Sequence, residues 1–138
     1  MFLNLLDANQ QRLFVIAAQA VAEQDGKVAD VERALLESVI AECEIDEIPP
    51  GMPLDDLLSA LDESLGGELY ARNAFLLELA GVAVIDGDAH PAELAVLTEI
   101  CLRLGVTDET LTRYVQFAIA ARDLIVQGRQ LVATADEG

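Results

Sequence analysis

The sequence predicts an all-α fold, and three observations predict it. Apolar residues recur at helical spacing, while strand-like alternation never persists. Hydrophobic residues make up 53% of the chain and are mainly Leu, Ala, Val and Ile, with few aromatics and no Trp. Ala and Leu, together with Glu, favour helix. Finally, Pro and Gly fall between the apolar runs, where helices end and turns begin.

Taken in order, the spacing predicts a first helix from about Asp7 to Gln24, followed by Gly26. A second runs from about Asp30 to Cys43, with Val31, Leu35, Val39 and Cys43 at i, i+4 spacing and Leu36 and Ile40 beside them. Between Ile48 and Pro53, the residues Pro49, Pro50, Gly51 and Pro53 make a loop that no regular helix crosses. A short acidic helix occupies about Leu54 to Ser64, and Gly66-Gly67 breaks it. A long apolar helix follows from about Glu68 to Ile85 and ends at Asp86-Gly87.

The next helix opens at Pro91, a first position where the missing N–H costs nothing. Its core face is Leu94, Leu97, Ile100, Cys101 and Leu104, and Gly105 stops it. Thr107 reads as an N-cap, with Asp108 and Glu109 in the first turn behind it. The last helical region carries Leu111, Val115, Ala118, Leu124 and Ile125, with Gly128 dividing it and a frayed tail from Ala135.

A chain of 138 residues suits one domain and buries roughly 70% of its unfolded surface, so its core needs no disulfide or metal. The net charge is −17. Such an acidic chain is not built for nucleic acid, whose phosphates need Lys and Arg to displace their counterions. Nor does it suit direct insertion into an anionic membrane surface. It suits divalent cations and basic partners, and the same charge keeps a very apolar chain soluble. Cys43 and Cys101 each lie in an apolar helical pattern and read as buried, reduced thiols. Leu13 to Ala22 is apolar enough to pass for a signal-peptide core. It lacks a basic n-region and, at about ten residues, is too short to span a bilayer. The reading is a core helix in a soluble, cytoplasmic protein.

The most informative feature is an internal repeat. An offset of 61 residues aligns Val21-Ala22 with Val82-Ala83 and Asp25-Gly26 with Asp86-Gly87. It also pairs Phe14 with Phe75, Glu32 with Glu93, Ala34 with Ala95 and Leu36 with Leu97. The shared unit is a helix, a turn beginning Asp-Gly, and a second helix opening with Glu. Gly permits a tight or left-handed backbone at the first helix's end. With Ala29 and His90 as N-caps, Glu32 and Glu93 take the capping-box position, near exposed N–H groups and the positive dipole end. The copies differ where Lys27 aligns with Asp88, which makes the second turn the more anionic.

A doubled unit of apolar helix, Asp-Gly-x-x-x-x-x-Glu and apolar helix resembles the tellurite-resistance TerB-like family. The matching stretches run from Ala22 to Glu32 and from Ala83 to Glu93, and the resemblance spans about residues 8 to 128. It implies one compact bundle of about seven helices built from two pseudo-symmetric repeats, about 8–45 and 69–106, with C-terminal helices over 107–134. It also implies a cation cluster at the two Asp-Gly turns. Family members are associated with tellurite and general stress resistance, membrane-linked complexes, and fusion to DnaJ-type domains. Their turns often carry Ser-Pro before the Glu, where this chain has Ala29-Asp30 and His90-Pro91.

The candidate metal ligands are therefore Asp25, Glu32, Asp86 and Glu93, with Asp88 assisting. Carboxylate oxygens suit Ca²⁺, Mg²⁺ or Mn²⁺, and Zn²⁺ less well. The competing reading is that each Asp caps and each Glu steadies a helix start. An EF-hand fits poorly: counting from Asp86, His90 stands at position five and Leu97 at twelve, where a calcium loop needs a bidentate Glu. His90 is the chain's single histidine and has no nucleophile motif with it, so it reads as a helix-entry residue. Asp55, Asp56, Asp62 and Glu63 read as one solvated face. No Gly-rich phosphate loop, Cys-x-x-Cys or Gly-x-Ser-x-Gly is present.

The expected function is a non-enzymatic TerB-like module that binds cations and contacts other proteins, membrane-associated or basic ones among them. The alternative is a metal-free structural helical interaction domain, either as a single copy or as a homodimer. A third reading, a metal-dependent hydrolase, needs an open coordination position and a cleft that nothing in the sequence argues for.

Overall fold

The computed structural model describes residues 2–23, 30–43, 45, 49–85 and 90–134, the side chains of residues 30–32 and 35 excepted. Among the described residues all regular structure is helical. A 3-10 turn at Leu3–Leu5 precedes α1 (Ala8–Ala22), α2 (Asp30–Glu42), α3 (Leu54–Leu65), α4 (Leu69–Val84), α5 (Pro91–Arg103) and α6 (Asp108–Thr134). Apart from the division expected at Gly128, every helix end falls within two residues of its expected place, because Pro, Gly and cap residues act locally.

Asp7 starts α1. Its carboxylate accepts from the Gln10 N–H at 2.8 Å, and the Gln10 side-chain oxygen accepts from the Asp7 N–H at 2.9 Å. This capping box satisfies two donors that a helix start would otherwise leave open. Gln10 is itself only 2% exposed. Its amide nitrogen donates to the Ser64 carbonyl at 3.1 Å and to the Glu68 carboxylate at 3.0 Å. The start of α1 is thereby tied to the α3–α4 corner, 54 residues away in sequence.

The bundle is built around α1. Residues Leu13 to Ala18, then Val21 and Ala22, are all buried, so this helix has no broad solvent face. It packs against α2, α3, α4 and α5. Helix α4 is nearly as enclosed and runs against α1, α5 and α6. Phe14 of α1 and Phe75 of α4 meet edge to face with ring centroids 5.3 Å apart. These two rings sit at matched positions of the sequence repeat. Leu57, Leu61 and Leu65 from α3, and Leu97 and Ile100 from α5, complete the centre.

Helix C-termini are closed by glycine and arginine. Gly105 has φ +77°, a left-handed backbone that costs an L side chain about 1–2 kcal/mol. Its N–H donates to the Leu102 carbonyl at 3.2 Å, and the Val106 N–H to the Cys101 carbonyl at 2.8 Å. That pair of bonds is a Schellman motif, and the burial of Val106 and Cys101 supplies its apolar contact. Arg72 adds a bond to the Leu104 carbonyl at 3.3 Å. At the end of α4, Arg122 reaches across from α6 and donates to the Val84 carbonyl at 2.8 Å.

One expectation is corrected. Gly128 does not divide the last helical region, and α6 runs unbroken for 27 residues. A helix-interior glycine costs about 1 kcal/mol relative to Ala, too little to break a helix flanked by good helix formers. The expected N-cap Ala29 and the tail from Ala135 lie outside the described residues.

Candidate metal centre

The described residues that flank the second Asp-Gly segment each carry a specific bond. On one side the Val84 carbonyl is held by Arg122. On the other, His90 caps α5: its Nδ1 accepts from the Ala92 N–H at 3.1 Å. His ranks poorly as an N-cap, yet here an imidazole nitrogen lone pair stands where an Asp or Ser oxygen usually does. Pro91 takes the first helical position, as the sequence predicts.

Glu93 follows in the first turn of α5 and is 1% exposed. Charged carboxylates are seldom buried to this degree, since removal from water is costly unless opposite charge or donors meet them. The N-terminus of α5 supplies part of that compensation through its dipole. The helix carrying Glu93 is clasped by α1, α3, α4 and α6.

The other candidate ligands stand differently. Glu32 lies in the first turn of α2, matching Glu93 in α5, but its side chain is outside the described set. Asp25, Asp86 and Asp88 are likewise outside the described residues. Among the described residues no group of three or more His, Cys, Asp and Glu side chains is arranged to hold a metal. Only Glu93 of the five candidates thus has a described side chain.

The acidic residues of α3 take the solvated face expected of them: Asp55, Asp56, Asp62 and Glu63 are all exposed. Asp62 pairs with Arg103 at 3.7 Å, an exposed contact of the kind that adds at most about 1 kcal/mol. Among the described residues no helix is long and apolar enough to cross a membrane.

Cys43 and Cys101 are free and buried. Burial pushes the Cys101 thiol up to about 11, aided by Asp108 and opposed by Arg72. Burial also raises Cys43, with Glu42 and Glu78 adding to it. A thiol whose folded value lies above its unfolded value stabilises the fold fully at lower pH. Above about pH 9 the unfolded chain loses the proton first, so stability falls as pH rises toward 11. Urea melts at pH 8, 9 and 10 should show that decline, and Cys101→Ala should flatten it. At pH 8 a thiol reagent should react with the native chain far more slowly than with the unfolded one. Rapid native labelling would contradict this.

Two features escaped the sequence reading. An apolar cavity of about 130 Å³ opens between α1, α2, α4 and α6, lined by Phe14, Val39, Val82 and Phe117 among others. No local pattern announces a gap between four helices. The second is a set of large apolar side chains exposed along the outer half of α6. Here a signal did exist, because Phe117, Leu124 and Leu131 recur every seven residues.

No protein-family model matches this chain, and neither does any curated protein or solved structure.

Proposed function

We propose that this helical bundle is a TerB-like module that holds a divalent cation between its two Asp-Gly turns and acts through contact with other proteins, without catalysis of its own. A tellurite or general stress response is the setting that the resemblance supplies. The observation carrying the proposal is the buried Glu93 carboxylate at the head of α5, next to the turn containing Asp86 and Asp88. Ca²⁺, Mg²⁺ or Mn²⁺ would meet such oxygen donors, Asp25 and Glu32 from the first repeat included. The edge-to-face contact of Phe14 and Phe75 supports the wider reading of two pseudo-symmetric repeats; the family's plan of about seven helices compares with six α-helices among the described residues. Equivalent positions of a duplicated unit touch where a local twofold passes between them.

A melt tests the cation. After EDTA, Ca²⁺, Mg²⁺, Mn²⁺ and Zn²⁺ are added singly to wild type, to Asp25→Asn/Asp86→Asn and to Glu93→Gln. A cation bound only by the folded chain adds about 2.7 kcal/mol at a hundredfold excess over its dissociation constant. Wild type should rise and both variants should not. Simple screening of a −17 chain would raise all three alike and would sink the site.

The second reading, a metal-free interaction domain, is favoured by one observation, the exposed apolar face of α6. No response to any ion in the same melt would leave it standing.

A further inference from the structure

The last buried side chain of α6 is Ala118. From Asp123 to Thr134 every residue is exposed except the half-buried Gly128. Yet this solvated stretch is amphipathic. Phe117, Leu124 and Leu131 form a line with Ala121 and Gly128 between them, and Ile125 and Val132 beside it. Leu124 is 67% exposed, Leu131 71% and Val132 78%. A heptad seam of this kind holds its apolar line against a second helix.

We propose that this face of α6 pairs antiparallel with the same face of a second copy of this chain. The inference rests on the interaction half of the reading above and is independent of the cation.

Charge selects the occupant. Residues 110–134 hold three of the chain's eight basic residues and only one of its twenty-five acidic ones. The remainder holds the other five basic and twenty-four acidic residues. Two such strongly acidic bodies repel one another, and the stretch 110–134 of α6 is the part that does not add to it. With Phe117, Leu124 and Leu131 taken as one core row and Ala121 and Gly128 as the other, the flanking positions are Ala118, Ala120, Ile125, Gln127, Val132 and Thr134. None of them is charged, so nothing on the seam opposes an identical seam. A basic partner would find no acid there to pair with.

Size and direction follow from the same residues. Antiparallel pairing sets each Leu124 opposite the partner's Gly128, and each Leu131 opposite the partner's Ala121. Large side chains then fall on small ones, which is the self-complementarity that a twofold interface requires. Gly128 has nothing within 4 Å of where a Cβ would stand, so no contact among the described residues calls for glycine there. Antiparallel pairing also separates the acidic bodies. Ala118 of one copy and Ala118 of the other lie about 24 Å apart along the seam. That is about three times the Debye length of about 8 Å at physiological salt. Parallel pairing would bring the bodies side by side.

Sedimentation equilibrium of the full chain in EDTA tests this across a concentration series. The expected mass rises from 14.8 kDa to twice that value as concentration increases. Leu124→Asp/Leu131→Asp should remain at 14.8 kDa throughout and should melt as the wild type does at its dilute, monomeric end, since both side chains are exposed in the single copy. A wild type that stays monomeric in the series overturns the proposal, and so does a dimer that the double variant leaves intact. Neither result touches the cation, which the melt tests separately.

Discussion

Phe14→Ala is expected to lower stability by about 3–5 kcal/mol, the range for truncating a fully buried Phe. Phe14 has no exposed surface and lies where the two most enclosed helices cross. Removing its ring takes away the apolar area, leaves a hole between α1 and α4, and strips Phe75 of its edge-to-face partner. The hole would also join the existing cavity, which Phe14 lines. Domains of this size are stable by about 5–15 kcal/mol, so the variant loses a large share of the total. Urea unfolding followed by far-UV circular dichroism measures it, the chain having no Trp to report. A double-mutant cycle with Phe75→Ala should return a coupling of about 0.5–1.5 kcal/mol from the ring pair itself. A loss under about 1 kcal/mol for Phe14→Ala would mean that the rings are not packed as described.

Gln10→Ala ranks second, at about 3 kcal/mol. One side chain serves three partners there: the Asp7 N–H, the Ser64 carbonyl and the Glu68 carboxylate. The Asp7 N–H and the Ser64 carbonyl are part-buried, each costs up to about 1–3 kcal/mol when its partner goes, and the helix also loses half of its cap. The α3–α4 corner should loosen as well, so amide exchange should quicken around Ser64 to Glu68, not only at Asp7. Asp7→Ala removes the cap alone and should cost about 1 kcal/mol. If the two variants melt alike, the long-range bonds of Gln10 contribute nothing.

Fold class was legible because the signals that define helices are local. Pro91, Gly105 and Thr107 mark the ends of α5 and the start of α6 by backbone geometry alone, and Thr107 does accept from the Thr110 N–H. The buried thiols and the solvated acids of α3 followed from apolar and polar spacing for the same reason. Asp7-Ala8-Asn9-Gln10 carried the capping-box spacing in plain view. Its tie to Ser64 was hidden, since no sequence pattern relates residues so far apart. Arg122 was hidden likewise: its bond to the Val84 carbonyl exists only once α6 lies along α4. At the candidate site, the spacing after each Asp-Gly put Glu93 in the first turn of its helix, and that much is legible. How deeply the carboxylate sinks depends on α5 being clasped from several sides, a tertiary fact. The face of α6 was readable as a seven-residue period. Its exposure was not, because an apolar period looks the same whether its partner lies in the same chain or in another.

The central place of α1 has a consequence for how the chain is made. During synthesis α1 leaves the ribosome well before α4 and α5, the helices that cover much of it. From Ala22 to the completion of Ile100 the ribosome adds 78 residues, which takes roughly 4–16 s at bacterial or eukaryotic elongation rates. Throughout that interval the apolar run from Leu13 to Ala22 has no completed core to enter. The nascent chain therefore carries its stickiest segment in the open for most of its translation, a natural client for a holding chaperone. Slowing elongation should lengthen that exposure, and the yield of folded protein should fall with it.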